Sequence, residues 1–376
     1  MFGSLLELSD NFFAFNLKYL FLVGLWPSDP WATSHPILYS MYETCIHVLL
    51  ITFLILSGMA NYEIKHDVLM LMTNLDKCLV AYNMFAKISM FVLKRKQLEI
   101  LVSEIIGSGD QITAERKKLM KMIVLVMTGL SMAIVSSFSA LAQYHNEMTV
   151  QIWMPFDPKK SRMNLILAGQ VVAVLYVVPV ILRGVAMQGI VCSLIIYLYD
   201  QLIELQRRIK SLEFTVETEG AMREEFKNII KKHIRLMGYS QDMNNIFGEY
   251  FLVQNLVVTL ELCLNALMAT MIGFEQKTLL VTFFAFLCVA LLNEYIYCYL
   301  GNEMITQSDN LALAAYESSW TSWPLDLQKD LLILLGVAQK PLQLSAGGIV
   351  AMSIQTYGQI LYNGYSIFAV LNDVVG

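Results

Sequence analysis

Charge, proline and histidine are all scarce in this chain, and each scarcity excludes something. The 376 residues contain five histidines, eight prolines and six cysteines. The cysteines are Cys45, Cys78, Cys192, Cys263, Cys288 and Cys298. All fall inside or at the edge of apolar runs; none forms a CxxC pair and none clusters with histidine. A zinc site and a disulfide scaffold are therefore excluded, and buried thiols are expected. No cofactor or metal is called for. Charged residues make up 15% of the chain, where a soluble domain has about 25%. That excludes a disordered protein, a coiled coil and most soluble enzymes. Net charge is -5, so no nucleic-acid surface is expected. No His, Cys or acid dyad stands at catalytic spacing, which argues against an enzyme. No repeat relates the two halves, which disfavours a multi-span transporter, the remaining alternative of another class. The opening MFGSLLELSD carries acids and no base, unlike a secretory signal peptide.

What is present is apolar surface. The chain is 56% hydrophobic with a mean hydropathy of +0.55, the composition of an all-α membrane protein. A span needs about 20 mostly apolar residues. Seven such runs lie near 37–60, 67–93, 119–143, 163–199, 250–273, 278–300 and 345–371. The second is polar for a span, with Asp76, Lys77 and Lys87. Residues 11–25 read as a short amphipathic helix lying in the interface. Trp26-Pro27 and Pro30-Trp31 then suit the headgroup region.

The distribution of Lys and Arg orients the bundle. Lys65, Lys159, Lys160, Arg162 and Lys277 fall in the 1–2, 3–4 and 5–6 connections. Lys18 and nearly all the other basic residues outside the spans lie on the opposite side, in or beside the 2–3, 4–5 and 6–7 connections. The excess persists when the long 4–5 connection is left out. Cytoplasmic loops carry such an excess, so the N-terminus is expected in the cytoplasm and the C-terminus outside. A G-protein-coupled receptor has the reverse arrangement.

Residues 197–237 are charged and helix-periodic. Leu198, Leu202, Leu205, Ile209 and Leu212 form one stripe; Gly220 interrupts; Phe226, Ile229, Ile230, Ile234 and Met237 resume it. The pattern predicts a cytoplasmic helical hairpin whose apolar stripe needs a partner. A further helix is predicted over 324–339, with Pro341 just past its end. Ser345-Ala346-Gly347-Gly348 reads as a flexible entry to the last span. The chain thus divides into an interfacial segment (1–36), spans one to four (37–196), a cytoplasmic hairpin (197–249), spans five and six (250–300), a cytoplasmic anchor helix (301–344) and a last span (345–376).

The C-terminal sixty residues carry the most specific pattern. Ala315-Tyr316 with Trp320, the run Ala338-Gln339-Lys340-Pro341, Ala346-Gly347-Gly348, and Tyr365-Ser366-Ile367-Phe368-Ala369-Val370-Leu371 follow in order. This series closely resembles the insect odorant receptor family, with Ile367 a mild departure where an aromatic is usual. A gustatory-type receptor channel is the alternative within that class. Such receptors carry Thr-Tyr followed by Gln-Phe, whereas Thr356-Tyr357 here is followed by Gln359 without that pair. The chain lacks the large insertion of the family's shared coreceptor, so it resembles an odorant-specific tuning subunit.

The resemblance implies a ligand-gated, non-selective cation channel in the plasma membrane of olfactory sensory neuron dendrites, assembled with the coreceptor as a heterotetramer. It implies that the last span lines the pore and that the odorant sits in the outer half of spans two to six. The ligand expected there is a small, neutral, largely apolar volatile. Outer-half candidates for its pocket are Met72, Thr73, Asp76, Ser136, Ser137, Tyr144, Val174, Val177, Ile181, Phe283 and Phe284. Small residues among them equally suit close helix packing in lipid. In the last span Tyr362, Ser366, Val370 and Asp373 are spaced by 4, 4 and 3 and share a face. Alignment with the coreceptor's pattern implies that Val370 stands at the hydrophobic gate and Asp373 just outside it. Of the charges within spans, Glu43 and Lys87 are expected to snorkel. Arg183 and Glu294 are expected to pair inside the bundle, and Glu261 is a further functional candidate.

Overall fold

The computed structural model describes residues 12–272 and 277–375. Among these, the chain folds as helices α1 (Ala14–Leu22), α2 (Pro30–Ser34), α3 (Pro36–Glu63), α4 (Val68–Gly107) and α5 (Ala114–Tyr144). There follow α6 (Arg162–Tyr176), a π turn (Val177–Leu182), α7 (Arg183–Lys210), α8 (Glu219–Ile272), α9 (Lys277–Tyr316), α10 (Leu325–Ala338) and α11 (Ile354–Val375). A two-stranded antiparallel hairpin, β1 (Ser345–Ala346) and β2 (Val350–Ala351), precedes α11. By length and composition, four helical stretches among the described residues suffice to cross a membrane: Pro36–Glu63, Ala114–Tyr144, Arg162–Lys210 and Glu219–Thr270. The helices α4, α9 and α11 occupy the other three predicted positions.

Local chemistry sets the helix starts. Asp67 accepts from Met70 N at 3.0 Å, Thr113 from Arg116 N at 3.4 Å and Ser161 from Asn164 N at 3.1 Å. Each capping side chain satisfies an orphan donor of its first turn. Pro30 and Pro36 occupy first helical positions, where a missing N–H is harmless. The 40 residues of α4, at 1.5 Å each, give a rod of about 60 Å, twice the hydrocarbon thickness. Helices α4, α8 and α9 therefore run well beyond the bilayer.

The centre of the bundle is α7. Every residue from Arg183 to Leu202 is buried, and α7 packs on α9, α5, α8 and α1. Gly189 permits the α5 contact, because a Cβ there would stand 2.5 Å from Val124. Above it, Pro179 lacks an N–H, and its ring would collide with the carbonyl four residues back. The chain widens into the π turn at this point.

At one end of the bundle the α4–α5 connection is tied to α7 and α8. Asp110 accepts from Arg235 Nη2 at 2.8 Å and from the Tyr197 hydroxyl at 2.6 Å, and lies 3.2 Å from Lys232 Nζ. Lys232 also meets Glu204 at 2.5 Å and Gln201 at 2.7 Å. Burial alone would push the Asp110 carboxyl up; the Tyr197 hydroxyl, Lys232 and Arg235 outweigh it and hold it below its ordinary range.

Two expectations about breaks differ from the fold. The helical hairpin turns at 211–218, and Gly220 sits in the first turn of α8. Two threonines hold this turn. The hydroxyls of Thr215 and Thr218 bond each other at 2.7 Å, and each accepts from the other's backbone N–H at 3.2 Å. The segment before the last span forms a hydrogen-bonded hairpin. Gly347 and Gly348 take φ of +60° and +74°, values that favour glycine. The Gly347 N–H donates to Gly248 O at 2.8 Å, which docks the hairpin on α8.

Candidate ligand cavity

Five helical elements line a cavity of about 120 Å³. Each contributes residues at helical spacing. From α4 come Asp76, Val80, Asn83, Met84 and Lys87; from α5, Ser131, Ile134 and Val135. The α6–π–α7 stretch gives Tyr176, Val180, Ile181, Gly184, Val185 and Gln188. From α8 come Tyr250, Gln254, Glu261 and Asn265; from α9, Leu287, Ala290, Asn293 and Tyr297. The π turn aims Val180 and Ile181 at the cavity. The volume lies below the roughly 300–1,000 Å³ of drug-sized pockets, so the cavity suits a molecule of a few carbons.

The lining mixes apolar walls with a band of polar groups. Lys87 is 2% exposed; it does not snorkel, because its Nζ donates to Gln254 Oε1 and lies 4.6 Å from the Tyr250 ring centroid. The Tyr250 and Tyr297 hydroxyls are 2.8 Å apart. Asn265 Nδ2 donates to Asp76 Oδ1 at 2.8 Å and to Glu261 O at 2.8 Å, joining α4 to α8. Among the described residues, Asn83 Oδ1, Gln188 Nε2, Asn265 Oδ1 and Asn293 Oδ1 are buried without a hydrogen-bond partner. Orphaned groups of this kind are costly unless a bound molecule satisfies them.

The sequence-predicted residues divide between this cavity and other surfaces. Asp76 and Ile181 line it. Ser136, Ser137, Tyr144, Val174 and Phe284 lie on the outside of the chain. Ser136 and Ser137 bond back to Met132 O and Ala133 O of their own helix, a habit that makes a membrane serine inconspicuous to lipid. Met72, Thr73 and Val177 are half-buried and do not line the cavity. Phe283 lies in α9, and its side chain is outside the described residues.

The remaining intramembrane charges have separate roles. Glu43 meets Arg95 at 2.7 Å and His47 at 3.7 Å. Arg183 is fully buried and donates to Val23 O at 2.9 Å and Gly24 O at 3.3 Å, so it holds the end of α1 rather than pairing with an acid. Glu294, fully buried beside the cavity, accepts from Cys298 at 3.5 Å.

Residues missed from sequence include Asn83, Gln188, Gln254, Asn265 and Tyr250. The signal was available: Asp76, Asn83 and Lys87, spaced by 7 and 4, put three polar groups on one α4 face, and Tyr250, Gln254, Glu261 and Asn265 do the same on α8.

In α11, Thr356, Ile360 and Gly364 face the bundle, and α11 packs on α8 and α9. A Cβ at Gly364 would stand 2.8 Å from Leu262. Tyr362 and Val370 are 66% and 64% exposed, which leaves an apolar face uncovered in the single chain. Ser366 is half-buried and donates to Tyr362 O at 2.9 Å. Asp373 lies in α11, with its side chain outside the described residues.

Comparison with known proteins gives concordant results. The family model described as 7tm Odorant receptor matches residues 67–365. The chain is 31% identical over 172 residues to odorant receptor 30a of Drosophila melanogaster, covering 46% of this chain and 45% of that one. The aligned stretch thus spans about half the length of the curated relatives it matches. The fold superposes on the insect olfactory receptor OR5 of Machilis hrabei with a TM-score of 0.80, at 17% identity, over 96% of this chain and 97% of that one. The same receptor in complex with eugenol superposes with a TM-score of 0.76, again at 17% identity and the same coverage.

Proposed function

The chain belongs to the insect odorant receptor family, and on that premise we propose that it is the odorant-binding subunit of a ligand-gated, non-selective cation channel. The observation that carries this reading is the cavity between α4, α5, α7, α8 and α9, whose apolar walls carry a band of polar groups, several of them orphaned. A solved receptor of similar fold was captured with eugenol, a small organic molecule. Binding would come mainly from burial, at about 25 cal/mol per Å² of apolar surface.

The exposed face of α11 is the conduction path in this reading. Four subunits around an axis would bring Tyr362 and Val370 toward one another, with Val370 as the apolar constriction that gates by dewetting. The coreceptor supplies the other subunits. The α7–α8 hairpin, α10 and the Asp110 network form the cytoplasmic anchor, and the Lys/Arg distribution supports an N-terminus inside. Dendritic plasma membrane is the corresponding location.

Cells co-expressing the chain with the coreceptor should give odorant-evoked cation current, and the chain alone should give little. A C-terminal epitope should stain in unpermeabilised cells, and an N-terminal one should not. Robust current from the chain alone would refute the tuning-subunit assignment. Outside staining of the N-terminus would refute the topology.

A further inference from the structure

We propose that this cavity selects a small apolar amine, with the ligand nitrogen held by the carboxylates of Glu261 and Asp76. The proposal rests on the reading of the cavity as the ligand site and names the chemical class it takes.

The argument starts from an imbalance. The lining carries two carboxylates, Asp76 and Glu261, against one ammonium, Lys87. Lys87 does not close the balance at contact distance, since its Nζ is taken up by Gln254 and the Tyr250 ring. Among the described residues no basic nitrogen lies within 4.0 Å of either carboxylate. Asp76 receives one hydrogen bond, from the neutral amide of Asn265. The Glu261 side chain receives none among those residues, although Glu261 is only 6% exposed. A carboxylate at this depth without a counter-charge at contact distance is costly.

The orphaned groups point the same way. Among the described residues, three of the four unpartnered atoms on the cavity's lining residues are oxygen acceptors: Asn83 Oδ1, Asn265 Oδ1 and Asn293 Oδ1. Gln188 Nε2 is the one orphaned donor among the described lining residues. Asn83, Gln188 and Asn265 are each more than nine-tenths buried. The cavity therefore has acceptors to spare and needs N–H groups. An alkane supplies none and an alcohol supplies one; an ammonium supplies three, together with the missing positive charge. Tyr176, Tyr250 and Tyr297 add ring surface that tolerates a cation.

An aliphatic amine is already an ammonium in neutral water, so it pairs with the two carboxylates as it arrives and no covalent bond is made or broken in the site. Charge-assisted hydrogen bonds of this kind are about twice as strong as neutral ones.

The test uses three probes of one shape: 3-methylbutan-1-amine, 3-methylbutan-1-ol and 2-methylpentane. Binding is read on the full chain in lipid nanodiscs as the ligand-induced rise in Tm. This readout needs neither the coreceptor nor a conducting pore. The amine should half-saturate at a concentration at least about tenfold below the alcohol, with the alkane weakest. Glu261→Gln should remove most of the gap, and Asp76→Asn should narrow it less. Failure of the amine to bind the wild-type chain would overturn the proposal. So would an alcohol as potent as the amine, or an amine preference unchanged in both variants. Ala290→Phe fills the cavity and separates the two readings. If it blocks all binding while the amine shows no advantage, only the choice of amine falls. If it leaves binding unchanged, the cavity reading falls with it.

Discussion

The side-chain amide of Asn265 bridges α8 to α4 by donating to the Asp76 carboxylate at 2.8 Å, across 189 positions of sequence. Both residues are buried, at 5% and 4% exposure, so the bond fixes two walls of the cavity relative to each other. Asn265→Ala leaves a buried acceptor unsatisfied, a loss of about 1–3 kcal/mol. The thermal midpoint in detergent should fall by several degrees. Combined with Asp76→Leu, the two losses should not add, because the second removes the partner that the first orphaned. Strict additivity would show that the two side chains do not interact.

Arg183 supplies the corresponding tie for α1. Its guanidinium donates to Val23 O and Gly24 O, with Nη1 3.2 Å from His47 Nδ1. Lysine retains the charge but not the planar fork that reaches both carbonyls. Arg183→Lys should therefore lower the thermal midpoint and speed proteolysis within residues 12–25. Gly24 has φ of +73°, and a Cβ there would stand 3.0 Å from Ile46. Gly24→Ala should cost about 1–3 kcal/mol through the same segment. Unchanged proteolysis in both variants would contradict this docking role.

His233 makes stability depend on pH. It is 3% exposed, and burial pushes its imidazole pKa below the ordinary value. Below about pH 6.5 the unfolded chain takes up a proton that the folded chain resists. Stability should thus decline from about pH 7.5 toward about pH 5.5 and level off only below the folded-state pKa. Thermal midpoints measured across that range should fall for the wild type, and His233→Gln should flatten the slope. Parallel slopes would remove His233 from the account.

The last helix offers a functional prediction. If Val370 is the constriction of the proposed heteromer, Val370→Ser should raise basal leak, because a polar side chain would wet it. On the same reading Asp373→Lys should reduce cation current partially, since other subunits would contribute to the same pore. Asn372→Lys, about 100° away around the helix, should do less. Equal effects at 372 and 373, with normal surface expression, would show that this face does not line the pore.

Much of the fold was legible because it follows from single-helix chemistry. Apolar runs of about 20 residues located the spans, and leucine periodicity over 324–339 located α10. What escaped depended on neighbours. Lys87 looked like a snorkelling residue because its sequence context cannot reveal Gln254 and Tyr250, more than 160 positions away. Serines on α5 drew attention by their polarity, yet Ser136 and Ser137 spend it on their own backbone. Glycine was ambiguous in the same way. Gly347-Gly348 signalled flexibility in isolation, whereas the hairpin uses both for positive φ and docks on Gly248. The π turn at Pro179 shifts the register of the fourth span, so spacing counted on an ideal helix pointed to Val174 and Val177 as well as Ile181. Only Ile181 of these three lines the cavity.

The position of a bound odorant tests the central claim most directly. A structure of the receptor with an eliciting volatile should show ligand density between Val135, Ile181, Tyr250 and Ala290, within hydrogen-bond reach of Asn83 or Gln188. Density on the outer surface beside Ser136, Tyr144 or Val174, with the cavity between α4 and α9 empty, would contradict it.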